Sequence, residues 1–114
     1  MQLIRGTTPT IVINVKTEMD LTQITAVWVY IAQQNKVKVD KKLSDVSFNY
    51  EERQIIVTLS QEDTLALKAD VDTLFQIRLL LVNETALATV ASKITVKEVY
   101  KQGIIEVEDI SNGG

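Results

Sequence analysis

Apolar and polar positions alternate through most of this chain, and the alternation has the period of strands rather than helices. The longest apolar run is Thr73-Leu74-Phe75-Gln76-Ile77-Arg78-Leu79-Leu80-Leu81-Val82, bounded by Asp70 and Asp72 before it and Asn83-Glu84-Thr85 after it. Ten residues suit either a long strand or a buried helix. Neither end carries a helix cap, and the two polar residues, Gln76 and Arg78, stand two apart. That spacing predicts a central strand with Phe75, Ile77, Leu79 and Leu81 on the core face and Gln76 and Arg78 on the other.

The same period recurs on both sides of this run. Thr10 to Lys16 places Ile11, Ile13 and Val15 on one face, after a leader Arg5-Gly6-Thr7-Thr8-Pro9 in which Gly6 allows a sharp turn and Pro9 keeps Thr8 extended. Thr17 to Thr22 reads as a connection, with Leu21 and Ile24 plugging the end of the core. Thr25 to Gln33 is the second strong strand, with Val27, Val29 and Ile31 inward and Trp28 and Tyr30 outward. Gln34-Asn35-Lys36 supplies a turn. Val37 to Lys42 alternates apolar with charged residues, as an edge strand does when it must discourage unwanted pairing. Val46–Tyr50 and Ile55–Leu59 flank the polar loop Glu51-Glu52-Arg53-Gln54 and predict a hairpin.

One helix signal interrupts the strands, at Ser60-Gln61-Glu62-Asp63-Thr64-Leu65-Ala66-Leu67-Lys68. Ser60 caps it, acids fill its first turn and Lys68 sits at its end, for two turns at most. After the central strand and a turn at Asn83-Glu84-Thr85, a return strand runs from Ala86 to about Val99, with Ile94 and Val96 inward. The chain therefore reads as all-β: an Ig-like antiparallel β-sandwich of about seven strands with one short crossover helix. Residues 1–103 form the sandwich domain and residues 104–114 an acidic C-terminal tail. The apolar members of that tail alternate weakly, which leaves open a docked strand, a partner-binding segment or disorder.

Composition narrows the chemistry. At 114 residues the chain has the size of one ordinary domain. With no cysteine and no histidine, it has no disulfide, thiolate or imidazole metal site, thiol nucleophile or Ser-His-Asp arrangement. The residue types that acid–base chemistry near pH 7 needs are largely missing, which argues against an enzyme, and no cofactor is called for. A net charge of −3 argues against nucleic acid as a partner. No apolar run is long enough for a membrane helix and the N-terminus lacks a signal-peptide pattern, so a soluble protein made in the cytoplasm is expected.

Four residues form the candidate binding constellation: Trp28 and Tyr30 on one strand, Gln76 and Arg78 on another. If the strands are neighbours, the four side chains share one outer surface, and aromatics with arginine are the types enriched at protein interfaces. The bland alternative is coverage of this face by the chain's own leader or tail. Asp70-Val71-Asp72 offers two carboxylates, but without the glycine and acidic spacing of a calcium loop it reads as a solvated turn. Asn83-Glu84-Thr85 fits the N-glycosylation pattern and is more simply turn chemistry. Gly113-Gly114 has no ubiquitin-like fold to go with it.

Four segments in order carry a family resemblance: Arg5-Gly6-Thr7-Thr8-Pro9-Thr10, Leu59-Ser60-Gln61-Glu62-Asp63-Thr64, Gln76-Ile77-Arg78, and Val96-Lys97-Glu98-Val99-Tyr100-Lys101-Gln102-Gly103-Ile104. The chain resembles small structural proteins of siphophages and prophages of Gram-positive bacteria, related to the N-terminal module of upper baseplate proteins. The resemblance implies a non-enzymatic virion component of tail or baseplate that docks other phage proteins or copies of itself. It also implies that Gln76 and Arg78 are structural anchors fixing the leader or the crossover. The alternative reading is a carbohydrate- or ligand-binding β-sandwich, with Trp28 and Tyr30 stacking a sugar ring and Gln76 and Arg78 binding its hydroxyls.

Overall fold

The alternation resolves into two packed sheets. The computed structural model describes residues 1–16, 18–89 and 91–107. Among these, the strands are β1 (Gln2–Ile4), β2 (Thr10–Asn14), β3 (Ile24–Gln33), β4 (Lys36–Lys42), β5 (Val46–Asn49), β6 (Gln54–Thr58), β7 (Thr73–Leu81), β8 (Ala86–Ala88) and β9 (Ser92–Lys97). A single-turn helix, α1 (Gln61–Leu65), joins β6 to β7. The larger sheet runs β1-β9-β7-β3-β4 with β8 also paired to β7, and the smaller runs β2-β6-β5. No helix among the described residues is long and apolar enough to cross a membrane.

The core lies where the inward faces meet. Val27, Val29 and Ile31 from β3, Phe75 and Ile77 from β7, and Ile94 and Val96 from β9 pack with Ile11, Ile55 and Val57 of the smaller sheet. Each inward residue alternates with an outward one, so burial of apolar area, at roughly 25 cal/mol per Å², fixes which face of each strand points in. The protein is an all-β sandwich. The strand β7 pairs with β3 along its length and with β8 and β9 on its other side, which makes it central to the larger sheet.

Local chemistry explains the connections. Gln34 and Asn35 both take positive φ, 52° and 62°, as a two-residue hairpin between β3 and β4 requires. The register shifts between Ile31 and Ala32, which face Val39 and Val37. Lys38 is the extra residue there, and past it Val37 turns outward and is exposed. The loop of the β5–β6 hairpin is Tyr50–Arg53, one residue earlier than the sequence pattern suggests, because Asn49 already pairs with Gln54. Arg53 closes it with a φ of 56°.

Helix α1 starts where expected. The Ser60 side chain accepts from the N–H of Asp63 at 3.0 Å, and Asp63 accepts from the N–H of Ser60 at 2.8 Å, a reciprocal cap. It ends at Leu65, so Lys68 lies beyond it rather than in its last turn. Leu59 and Leu67, on either side of α1, are buried and close one end of the sandwich, while Leu21 is buried in a short turn at Leu21–Gln23.

Two departures from the sequence reading concern the ends of the chain. The return strand is in two pieces, β8 and β9, both paired to β7. Thr89 marks the break: its N–H donates to the Ile77 carbonyl at 3.0 Å and its hydroxyl accepts from the Ile77 N–H at 3.2 Å. The second departure is β1, which pairs parallel to β9 with Leu3 opposite Val96, so the sandwich is not purely antiparallel. After β1 the leader turns at Gly6, whose φ is +77°, and crosses to the smaller sheet. Thr17 of the expected connection, Val90 of the expected return strand and residues 108–114 of the tail, Gly113-Gly114 included, lie outside the described residues.

Asp63 also ties the crossover to the edge of the larger sheet, with its carboxylate 2.7 Å from Lys41 Nζ. Partial burial pushes the Asp63 carboxyl up. The hydrogen bonds from Lys41 and Ser60 and the lysine charge outweigh that and hold it below its ordinary 3.8. A lowered pKa means that this contribution to stability is complete above the unfolded-state value and is lost as pH falls through the folded-state one. Unfolding midpoints measured between pH 5 and pH 2 should therefore drop less steeply for Asp63→Asn than for the parent, while the two curves run parallel above about pH 5.

Candidate functional site

The outer face of the larger sheet brings the four predicted residues together. In the β3–β7 register Trp28 stands directly opposite Arg78, and Tyr30 opposite Gln76. The antiparallel pairing of two strands with outward residues at even positions makes this a rectangle of adjacent side chains. The Arg78 guanidinium carbon lies 5.1 Å from the centroid of the Trp28 ring. Such a cation–π contact at an exposed site is worth about 0.5–1 kcal/mol, enough to favour one pose of the indole.

The lower pair is bound by hydrogen bonds. The Tyr30 hydroxyl donates to Gln76 Oε1, and Gln76 Nε2 donates to the Thr89 carbonyl at 2.7 Å. Gln76 thus spends both ends of its amide, one on Tyr30 and one on the link between β8 and β9. Trp28 remains 55% exposed, and among the described residues neither the leader nor the tail covers it. On the far side of β3, Lys42 faces Trp28 and Asp40 faces Tyr30.

Apolar residues extend the patch. Leu74 and Leu80 share the parity of Gln76 and Arg78, so they too point outward and are exposed. A shallow depression of about 160 Å³ lies beside the indole, lined by Ala26, Trp28, Arg78, Leu80 and Ala86. The sequence signal for the leucines was the even numbering of 74, 76, 78 and 80. Val37 joins them through the bulge at Lys38, which strict alternation does not anticipate.

The structural anchor implied for Arg78 belongs to another arginine. Arg5 Nη1 lies 2.6 Å from Glu98 Oε1, and Arg5 Nη2 donates to the Leu65 carbonyl at 3.0 Å. That guanidinium fixes the leader against both the crossover and the end of β9. The Glu98 carboxyl is held below its ordinary range by the Val99 N–H and by Arg5. Arg78 sits on the outer face of the larger sheet and stacks on Trp28 instead.

Elsewhere, Asp70 takes a φ of 59°, and Asp70 and Asp72 line a wide depression of about 830 Å³ with Asn35 and Lys93. Among the described residues no three His, Cys, Asp or Glu side chains are placed to hold a metal ion. Asn83 caps its own turn by accepting from the Thr85 N–H at 3.0 Å.

No family model matches the chain, and no curated protein matches it. One solved chain to which it is similar comes from a structure concerned with T cell specificity and activation by the bacterial superantigen toxic shock syndrome toxin-1. The likeness covers 84% of this chain and 91% of that one, at 10% identity and a TM-score of 0.47. A likeness so loose carries no argument about function.

Proposed function

We propose that the chain is a non-enzymatic structural module of a phage or prophage virion, a tail or baseplate component that works by docking other proteins. The ordered segments that resemble small siphophage structural proteins support the virion setting. The observation that carries the docking reading is the Trp28 indole, more than half exposed yet posed by Arg78. An aromatic held in place before contact loses little side-chain entropy on binding, and Trp and Arg dominate interface energetics. Leu80 and Ala26 beside it give a partner an apolar surface to bury.

The sugar-binding alternative draws support from the depression beside the ring. It also needs free polar groups, and beyond its bonds to Tyr30 and Thr89 Gln76 keeps only one amide N–H and one oxygen lone pair. The Arg78 guanidinium also lies over the indole, on a ring that a sugar would have to stack against. Protein docking fits this arrangement better.

Purified tail and baseplate proteins encoded beside this chain provide the test. Trp28→Ala should weaken capture of the true partner by about 30-fold, the loss typical of an interface hot spot. Folding stability should change by less than about 1 kcal/mol, since the ring contributes mainly surface contacts. Unchanged capture by the variant would remove this face from the interface, and glycan binding abolished by the same substitution would favour the alternative.

A further inference from the structure

We propose that residues Ile104–Val107 of one copy add as an extra strand to the free edge of β4 in a second copy. This segment belongs to no helix, turn or strand, and it exposes apolar side chains: Ile104 is 45%, Ile105 77% and Val107 100% accessible. Its backbone is nonetheless held. The Ile105 N–H donates to Gln61 Oε1 at 2.7 Å, and Gln61 Nε2 donates to the Ile105 carbonyl at 3.1 Å. One side-chain amide thus satisfies both polar groups of a single residue, as a neighbouring strand would. An alternating apolar segment presented in this way has the chemistry of a strand donor.

Charge selects the acceptor. Several strand edges are free among the described residues: one side each of β1, β2, β4 and β5, and the outer side of β8. The sequences of β1, β2, β5 and β8 carry no charged residue, whereas β4 carries Lys36, Lys38, Lys41 and Lys42 with one acid, Asp40. Lys41 is paired with Asp63, while Lys36, Lys38 and Lys42 are exposed and make no ion pair among the described residues. Glu106 lies within the donor segment, and Glu108 and Asp109 follow it in sequence. Lysines on an edge strand repel a basic strand, make pairing with a neutral one costly because their charges would lose water, and admit an acidic one. The exposed Val37 offers Ile105 or Val107 an apolar neighbour on the same edge.

The acceptor is a second copy because, in its own chain, the segment sits against Gln61 on the crossover rather than on β4. Donor and acceptor are different patches, so the contact is head-to-tail and builds a ring or a filament. The inference uses neither the Trp28 face nor the virion reading, and its test separates them.

Sedimentation equilibrium on the full chain, over a hundredfold range of concentration, reads the association directly. Glu106→Lys and Lys38→Glu should each weaken self-association by roughly tenfold or more, and salt should weaken the parent's association in the same way. The two substitutions in one chain restore complementary charge and should recover most of the lost affinity. Both sites are exposed, so folding is not at stake, and Trp28→Ala should associate like the parent. A parent that stays monomeric throughout overturns the proposal. So does association indifferent to both charge reversals, or a double variant no better than the single ones. Association abolished by Trp28→Ala but untouched by the charge variants would assign assembly to the docking face instead.

Discussion

Gln33→Leu should destabilise the protein far more than its position at a strand end suggests. The side chain is only 2% exposed. Its Nε2 donates to the Lys68 carbonyl at 2.8 Å and to Thr73 Oγ1 at 2.9 Å, while its Oε1 accepts from the Lys68 N–H at 2.9 Å. This amide therefore satisfies both backbone groups of Lys68, at the point where the crossover leaves α1 and turns towards β7. Leucine has similar bulk and no polar atoms, so the pocket stays filled while Lys68 loses its partners. A buried polar group left unpaired costs about 1–3 kcal/mol, and because the two on Lys68 are only partly buried the pair together should cost roughly 1–3 kcal/mol. Urea unfolding will show this as a lower midpoint at an unchanged slope. A loss below about 1 kcal/mol would mean that Lys68 finds water or another partner without disturbing the crossover.

The second large effect is expected at the middle of the central strand. Ile77 is 0% exposed and lies opposite Val29 in the β3–β7 register. Its side chain is enclosed by both sheets, so Ile77→Ala removes apolar contacts and leaves a cavity that two hydrogen-bonded strands cannot easily collapse to fill. The expected cost is about 2–5 kcal/mol, against about 0.5–1.5 for Ile77→Val. The backbone bonds of Ile77 to Thr89 survive both changes, which makes the difference between the variants a measure of packing alone. Thermal unfolding of the pair checks it. Nearly equal midpoints would show that the centre of the sandwich is loosely packed.

Much of the sandwich was legible because period-two patterning is strong wherever one face of a strand is buried. The inward sets Val27-Val29-Ile31 and Phe75-Ile77 follow directly from it, as do the cap at Ser60 and the turn at Asn83. The shared face of Trp28, Tyr30, Gln76 and Arg78 followed from the same parity, given neighbouring strands. Register did not follow, because β3 and β7 are separated by two hairpins and the crossover, and no local signal sets their offset. β1 was illegible for a related reason: three residues, Gln2–Ile4, are too few to show alternation, and their order comes from β9, more than 90 positions further along the chain. Gln33 was hidden because a glutamine ending a strand normally faces water. Its burial depends on where the crossover returns. Likewise Arg5 and Arg78 are chemically identical candidates for an anchor, and only the placement of Glu98 and Leu65 beside Arg5 decides between them.

The parallel pairing of β1 with β9 has a mechanical consequence. Tension applied through the two ends of the chain pulls β1 towards its N-terminal side and β9 towards its C-terminal side. In a parallel pair these lie at opposite ends of the ladder, so the load runs along the strands. The rungs from Thr95 to the Met1 carbonyl and from Arg5 to the Lys97 carbonyl, 2.9 and 3.0 Å long, must then shear together. An antiparallel pair pulled from adjacent ends would peel open one rung at a time. The Arg5–Glu98 contact joins residues 93 positions apart and braces the same seam. Force drawn through this sandwich therefore meets its collective resistance first, at the strand pair that closes the chain on itself.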